Sequence, residues 1–305
     1  MRIRTLRPDE WDQVAELIHH STNAWYLRHR NQRIFPDPHS VCRLFPEVYE
    51  ALDPGHCWVA EDPTSGRLAG SCFVHPRPSH VSLGIMNVHP DFAGRGIARA
   101  LLHEICALAD ATGRPVRLVS SAMNLDSFSL YTRAGFTPRA LFQDLLFEVP
   151  AGGPADAPPL AAAVRPATPR DLPALAALDL ELAGVQREQD FRYFLANPGG
   201  LWRLLVLEQA GALTGFLASV DHPGSCLLGP GAARTEEVAE ALIWRQWDLL
   251  RGRTPVCLVP AAAGELVRAL YRRGARNCEL HVLQARGAIP DLRGVVMPTF
   301  MPETL

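Results

Sequence analysis

The chain has 305 residues, with 48% hydrophobic and 20% charged residues, which is an ordinary composition for a globular protein. At about 100–200 residues per domain, this length predicts two domains. The net charge of −2 gives no electrostatic reason to expect nucleic acid or an anionic membrane as a partner, and the lack of lysine excludes Schiff-base chemistry on a lysine side chain.

The cysteines and the N-terminus indicate a reducing compartment. Seven cysteines are scattered without a Cys-x-x-Cys pair, so we expect neither a disulfide framework nor a metal site. The first residues, Met1–Pro8, lack the apolar core of a secretion signal, and no stretch approaches about 18 uninterrupted apolar residues. We therefore expect a cytoplasmic protein with no membrane partner.

The first elements in chain order are predicted from alternation, helical spacing and turn residues. They are a strand at Ile3–Leu6, a helix that begins at Pro8, a helix at Ser40–Leu52 within the mixed stretch 21–54, and an antiparallel pair of strands at Cys57–Glu61 and Leu68–Val74.

The stretch Val81–Leu102 combines an apolar strand, a short turn, two glycines and an amphipathic helix. The strand Val81–Val88 stops before a proline, which cannot donate to a ladder. Gly94 and Gly96 follow, and from Ile97 the apolar residues recur at helical spacing. The first N–H groups of a helix lack internal partners, and glycine lets a ligand approach closely. The stretch therefore predicts an anion-binding loop.

Two kinds of phosphate-binding loop do not fit this stretch. A P-loop requires Gly-Lys-Ser/Thr, and the chain has no lysine. A dinucleotide-binding loop requires a third small residue and an acid about 20 residues further on. Here Arg99 takes the third position, and the next strand, Pro115–Val119, ends without an acid.

A second motif follows a strand at Val116–Ser120, which is expected to return parallel to the strand before the loop. Asn124 precedes a helix at Asp126–Ala134, which carries Tyr131, and the dipeptide Gly-Phe comes next. A closing strand is predicted at Leu141–Phe147.

The two motifs, in this order, closely resemble those of the GNAT (Gcn5-related N-acetyltransferase) superfamily. The cofactor motif of that family, Gln/Arg-x-x-Gly-x-Gly/Ala, corresponds to Ala93–Ala98, and Ala93 departs from it by replacing the usual Gln or Arg. The resemblance implies an α/β fold with a mixed, mostly antiparallel sheet flanked by helices. It also implies acetyl-CoA as co-substrate, with its pantetheine arm between two parallel strands that splay apart.

The resemblance further implies roles for individual residues. Tyr131 would be the catalytic general acid that returns a proton to the departing thiolate. The cofactor-binding residues would be Met86, Asn87, Val88, Gly94, Arg95, Gly96, Ile97, Ala98, Arg99 and Asn124. Other interpretations stay open: Arg95 and Arg99 as surface charges, Asn124 as a helix N-cap, and Tyr131 as a core aromatic.

The general base is not predicted. Some family members carry a glutamate five residues before the asparagine, where this chain has Val119. Candidates near the strands are His75, His80, His89 and Glu47, and none of them is nominated.

The chain repeats its order of elements after Pro150–Pro159, which has the composition of a linker. Thr254–Val259 matches Arg114–Val119, and Leu270–Ala275 matches Leu130–Gly135. We predict two tandem GNAT-like acyl-CoA N-acyltransferase domains, with an N-terminal domain at 1–150, a linker at 151–160 and a C-terminal domain at 161–305.

The C-terminal domain is predicted to be degenerate. Its loop, Gly229–Thr235, contains a proline that removes an N–H group, and Gly264 stands where the first half has Asn124. The tandem layout is similar to that of mycothiol synthase and its relatives, in which the C-terminal half carries the reaction. Here the N-terminal half keeps the motifs.

We therefore expect an N-acetyltransferase that acts on a primary amine, either a small molecule or a peptide. The alternatives are an inactive acyl-CoA-binding sensor and a structural interaction module. The sequence indicates neither the acceptor nor the oligomeric state.

Overall fold

The computed structural model describes residues 1–299, which form two compact units. The first unit comprises residues 1–76 and 80–116, and the second comprises residues 77–79 and 117–299. The sequence repeat and the contact units divide the chain at different places. The domain boundaries around 151–160 therefore remain a prediction.

The first unit combines an antiparallel meander with three α-helices among its described residues. Its elements are β1 (Arg2–Thr5), α1 (Trp11–Arg30), α2 (Leu44–Leu52), β2 (Cys57–Glu61), β3 (Leu68–Pro76), β4 (Val81–Val88) and α3 (Ile97–Ala111).

Helix α1 extends into the stretch that the sequence analysis described as mixed. It ends at Arg30, where Asn31 adopts a left-handed φ of 52° and donates its N–H to Leu27 O at 3.2 Å. Asparagine tolerates that conformation and often ends helices. The helix buries the polar side chains of Ser21 and Asn23. Apolar periodicity could not predict these last turns, because part of their inward face is polar.

The strands of the first unit pair in the order β1-β2-β3-β4, and each pair is antiparallel. A Cβ on Gly70 of β3 would meet Ile97 Cγ2 at 2.8 Å, so Gly70 faces α3. Asn87 of β4 donates to Ser21 Oγ at 2.7 Å and so faces α1. Helices α3 and α1 therefore cover opposite faces of these strands.

A β-bulge interrupts the pairing of β3 with β4. Gly84 and Ile85 of β4 together oppose the single residue Phe73 of β3. A bulge bends its strand and increases the local twist. The bend comes directly before Met86–Val88, the strand residues predicted to contact the cofactor.

The second unit contains the remaining described elements. They are β5 (Val116–Ser121, whose first residue belongs to the first unit), α4 (Leu125–Arg133), β6 (Thr137–Leu146), β7 (Val164–Pro166), α5 (Leu172–Ala183), α6 (Glu188–Ala196), β8 (Trp202–Gln209), β9 (Ala212–His222), β10 (Ser225–Ala233), α7 (Glu236–Leu249), β11 (Val256–Pro260), α8 (Gly264–Arg272), β12 (Arg276–Arg286) and β13 (Val295–Met297).

The strands of the second unit follow the order β5-β12-β6-β11-β10-β9-β8-β7, and β13 pairs with β10. Strand β6 is antiparallel to both of its neighbours, β12 and β11. Strands β10 and β11 are parallel, with Leu227 paired with Val256. The predicted mixed, mostly antiparallel sheet is therefore confirmed. A fragment that began near residue 160 would lack β6, a central strand of this sheet.

The structure corrects the sequence analysis at Gly229–Thr235, which was predicted to be a loop. Residues up to Ala233 continue β10, and antiparallel pairing with β13 explains why. Strand β13 itself was not predicted, since a run of three apolar residues carries little periodicity.

The predicted linker is ordered against the helices of the second unit. Trp244 donates its indole N–H to Ala155 O at 3.0 Å, and Arg273 donates to the same oxygen at 3.2 Å. Ala155 and Arg273, together with Glu240 and Phe147, border a cavity of about 410 Å³. None of the predicted site residues lines this cavity.

Buried ion pairs fix the start of α6 in the second unit. Arg77 donates to both carboxylate oxygens of Asp190, at 2.6 and 3.2 Å, and both side chains are fully buried. Arg187 binds the buried Asp179 at 2.6 Å. Arg117 donates to Ala183 O at 2.9 Å, at the C-terminal end of α5. A buried charge is tolerated when it is paired in this way.

Candidate active site

The loop before α3 has the geometry of an anion site. Gly94 and Gly96 both adopt a left-handed φ of 77°, which favours glycine. A Cβ on Gly94 would meet nothing within 4 Å, and one on Gly96 would meet only Arg99 Nη2, at 3.5 Å. The space beside the loop is therefore open to a ligand, next to the positive end of α3.

Cationic side chains surround this loop. The guanidinium of Arg95 lies 4.9 Å from the centre of the Phe92 ring and donates to Asp91 O at 3.3 Å. Arg67 contacts the same ring at 5.5 Å. Arg95 and Arg99 are exposed, so they can meet a phosphate without a large desolvation cost. Ala93, the departure from the family motif, is also exposed.

Met86 and Val88 direct their N–H groups away from β3. The N–H of His89 donates across to Ala69 O at 2.9 Å. Successive N–H groups alternate along a strand, so the N–H of Val88 points to the other edge of β4, and that of Met86 does the same. The bulge places these donors beyond the bend in the strand, an arrangement suited to polarising an acyl oxygen.

Asn124 and Tyr131 lie in the second unit. Asn124 Oδ1 accepts from the N–H of Ser127 at 3.1 Å, which makes Asn124 the N-cap of α4. Tyr131 is 5% exposed, and its ring centre lies 5.9 Å from that of Phe136. The cofactor contact of Asn124 and the proton transfer by Tyr131 stay predictions.

Glu279 of β12, which the sequence analysis did not consider, contacts the turn that leads into α4. Its carboxylate accepts from Ser121 Oγ at 2.5 Å, and Ser121 Oγ in turn accepts from Met123 N–H at 3.2 Å. The N–H of Asn124 reaches Ser121 O at 3.3 Å. A strand of the sequence-distant half therefore holds the turn that leads into α4. Glu279 is 7% exposed. Acidic residues are seldom buried without a partner, so an acid within a strand pattern was the sequence feature that could have indicated this contact.

The four candidate bases occupy different environments. His75 is buried, and its Nδ1 lies 2.6 Å from Asp53 Oδ2. His80 is also buried. Burial lowers the pKa of His89, whose Nδ1 accepts from the N–H of Asp91 at 3.2 Å. Glu47 is exposed and paired with Arg43 at 2.8 Å. None of these contacts singles out one base.

The second half repeats the bulge of β4. Gly229 and Pro230 of β10 oppose the single residue Ala218 of β9, so Gly231–Ala233 are the counterparts of Met86–Val88. These counterparts pair with β13. In the second half, a strand of the chain itself thus occupies the edge that the first half would offer to the cofactor.

The start of α7 also differs from that of α3. Thr235 Oγ1 accepts from the N–H of Val238 at 3.3 Å, so a side chain of the protein caps this helix. Glu236 accepts from the N–H of Leu266, at the start of α8, at 2.5 Å. Glu237 adds a second acid in the first turn. The start of α7 thus carries carboxylates, whereas the start of α3 carries arginines. The carboxylates would repel a phosphate.

Residues 53–138 and residues 175–289 each match the family described as the acetyltransferase (GNAT) domain. The chain therefore belongs to the GNAT superfamily, as an acyl-CoA N-acetyltransferase with two GNAT domains in tandem. The predicted superfamily, tandem layout and acyltransferase class are confirmed, and the inactive alternative is not favoured.

Solved structures share this fold along almost the whole chain. A Pyrococcus horikoshii protein assigned as an acetyltransferase is 16% identical with a TM-score of 0.75, over 98% of this chain and 95% of that one. A GCN5-related N-acetyltransferase from Sphaerobacter thermophilus is 18% identical with a TM-score of 0.64, over 96% and 97%. A tandem GNAT protein from the clavulanic acid biosynthesis pathway is 16% identical with a TM-score of 0.61, over 95% and 99%. No curated relative matches by sequence.

None of the helices described within residues 1–299 has the length and apolarity to cross a bilayer. Within the same residues, no group of three His, Cys, Asp or Glu side chains is arranged to hold a metal ion.

Proposed function

We propose that the N-terminal half transfers an acetyl group from acetyl-CoA to a primary amine by direct attack, without a covalent acyl-enzyme. The observation that carries the proposal is the loop at Gly94–Gly96. It is left-handed at both glycines, open on its outer side and followed by a helix of 15 residues. Unpaired N–H groups, a helix dipole and flanking arginines suit the pyrophosphate of a coenzyme A thioester.

The proposed cofactor-binding roles of individual residues follow from the position of this loop at the start of α3. The N–H groups of Ile97, Ala98 and Arg99 would bind the pyrophosphate, and the side chains of Arg95 and Arg99 would neutralise it. Two further contacts are proposed along the arm of the cofactor. Asn124 would hydrogen-bond the pantetheine, and the N–H groups of Met86 and Val88 would bind the thioester oxygen.

Tyr131 completes the proposed chemistry. When the amine attacks, a C–N bond forms, the C–S bond breaks, and the amine gives up one proton. The departing coenzyme A thiolate resembles the thiolate of cysteine, whose thiol has a pKa of about 8.5. The phenol of a tyrosine has a pKa of about 10, so it can donate a proton to the thiolate as the C–S bond breaks. The amine proton passes to solvent or to a base that these contacts do not single out.

Replacing Gly96 by valine should abolish the thermal stabilisation that acetyl-CoA gives to the protein. A ligand that binds only the native state stabilises it by RT ln(1 + [L]/Kd), and a β-branched side chain would obstruct the loop backbone. The measurement is the shift in Tm with increasing acetyl-CoA, together with thiol release in the presence of a panel of amines.

Gly113→Val is the matched control for this experiment. Gly113 also has a positive φ, of 64°, and an added Cβ would meet nothing within 4 Å, but it follows the other end of α3. Both variants therefore carry backbone strain, and only Gly96→Val should lose the ligand-dependent shift. If Gly96→Val keeps the parental shift, the loop does not bind the cofactor. If the parent protein releases thiol with no amine, the transferase proposal fails.

Calorimetric titration of the full chain with acetyl-CoA should give about one site per chain. The second half pairs the counterparts of Met86–Val88 with β13 and places Glu236 between α7 and α8. These two differences should weaken separate contacts with the same acetyl-CoA molecule. Two equivalent sites would show that the second half is an active domain. The single site should be lost in Gly96→Val and kept in Gly113→Val.

A further inference from the structure

The cavity of about 410 Å³ in the second unit lies between the stretch 147–156 and the helices α7 and α8. Its volume is within the range of about 300–1,000 Å³ that is typical of small-molecule sites. Phe147, Pro154 and Ala269 form its apolar part, and charged side chains form the rest. The residues proposed to bind acetyl-CoA all lie elsewhere in the described chain, so this cavity is a second candidate site.

Arg273 holds the walls of this cavity in place. Its Nε and Nη2 donate to Glu240 Oε1 at 3.0 and 2.9 Å, so these two charges neutralise each other. Its Nη1 donates to Ala155 O at 3.2 Å and also to Asp156 O. The backbone at 155–156 is therefore fixed on the two helices. A wall that is already ordered lowers the entropic cost of binding a ligand.

Arg272 and Asp156 are the other charged residues among those that line the cavity. Within residues 1–299, neither side chain forms a hydrogen bond or an ion pair, with the other or with a third group. The remaining arginines of α7 and α8 each pair with an acid of their own helix, Arg245 with Asp248 and Arg268 with Glu265. Two opposite charges thus border one cavity and are left for a ligand.

Two further observations set these charged residues apart. Asp156 adopts a left-handed φ of 50°, which its hydrogen bond with Arg273 fixes. Such conformations are uncommon outside glycine, and they cluster where ligands bind. At the position of Arg272, the first half has Thr132, whose hydroxyl donates to Phe128 O at 2.9 Å. The repeated fold therefore does not require an arginine at this place.

We propose that the cavity binds a small zwitterion, an amino acid with an apolar side chain, an inference that is independent of the proposed transferase activity. Arg272 would bind the carboxylate with two N–H donors, and Asp156 would accept from the ammonium group. The apolar side chain would pack against Ala269 and Phe147, whose ring is stacked on Trp247 with ring centres 4.1 Å apart. A simple anion would be repelled by Asp156 and a simple cation by Arg272, so separated charges on one molecule fit best.

The test is calorimetric titration of the full chain without acetyl-CoA, with L-leucine and L-phenylalanine as probes. At least one of them should bind at about one site per chain. The amide of that amino acid lacks the carboxylate, and its deaminated acid lacks the ammonium group. Each analogue should bind at least about tenfold more weakly, because a hydrogen bond to a charged group is lost.

Charge-removing variants assign each end of the ligand. Arg272→Gln should weaken binding of the amino acid about tenfold or more, without weakening binding of the amide, which has no carboxylate to lose. Asp156→Asn should weaken binding of the amino acid to a similar extent, without weakening binding of the deaminated acid. Asparagine tolerates the left-handed conformation, so the wall should be preserved.

Arg133→Gln is the matched control. Arg133 is exposed in the last turn of α4, as Arg272 is in the last turn of α8, and it lies outside the cavity. This variant should bind the amino acid with parental affinity. Parental affinity in Arg272→Gln, or an equal loss in Arg133→Gln, would show that the cavity is not the binding site. A parent protein that binds neither probe would overturn the proposal.

Discussion

Replacing Tyr131 by phenylalanine is expected to lower kcat about 10²–10⁴-fold, the usual range for loss of a general acid. The affinity for acetyl-CoA should change little, because the proton is delivered only in the transition state. Phenylalanine keeps the buried ring and its packing beside Phe136, so the fold should be preserved. Single-turnover rates and the Kd of acetyl-CoA measure the two effects separately.

Tyr271→Phe is the matched control in the second half. Tyr271 is the repeat counterpart of Tyr131, but it is 42% exposed, and its hydroxyl donates to Gln143 Oε1 at 2.6 Å. Removing this hydroxyl should leave turnover at the parental rate. Parental turnover in Tyr131→Phe would show that water protonates the thiolate and that Tyr131 is a core aromatic.

Replacing Asp190 by asparagine should destabilise the protein by about 3–5 kcal/mol, because it removes the carboxylate that pairs with a buried guanidinium. Arg77 and Asp190 are each 0% exposed, so solvent cannot replace the lost charge. The amide has nearly the same size as the carboxylate, so the effect is electrostatic. The denaturant midpoint of the full chain should fall, with little change in the slope of the transition.

The control lies on the same helix. Glu188→Gln removes the partner of Arg192 in an exposed ion pair at 2.5 Å, with side chains 51% and 66% exposed. Exposed pairs contribute about 0–1 kcal/mol, so this variant should remain near the parental midpoint. If Asp190→Asn loses no more stability than Glu188→Gln, the buried pair does not stabilise the fold.

Strands bounded by turn residues were predictable from the sequence. The bounds of β2 and β4 agree with the prediction to the residue, because apolar runs end there at glycine, proline or aspartate. Helix α4 differs from its prediction by one residue at each end. The position of the glycine loop at the start of α3 was also predicted correctly, since glycines directly before a helical repeat favour a tight turn into the helix.

Features that depend on distant partners could not be predicted in this way. Strand β6 closes the first half in sequence, yet it pairs with β11 and β12 of the second half. The carboxylate of Glu279 reaches Ser121 across 158 positions of sequence. Local pattern and propensity carry no information on such pairs, because strand order is decided by packing.

Strand β13 would compete with acetyl-CoA for the strand edge of the second half, because it pairs with Gly231–Ala233 of β10. The strand is joined to β12 by a short connection, from Arg286 to Val295. A segment tethered in this way has an effective concentration on the order of millimolar at the edge of β10 with which it pairs. A free thioester would have to displace it and would also meet Glu236 at the entrance. We therefore expect one acetyl-CoA site per chain even when acetyl-CoA is abundant, because β13 already pairs with the strand edge of the second half that corresponds to Met86–Val88.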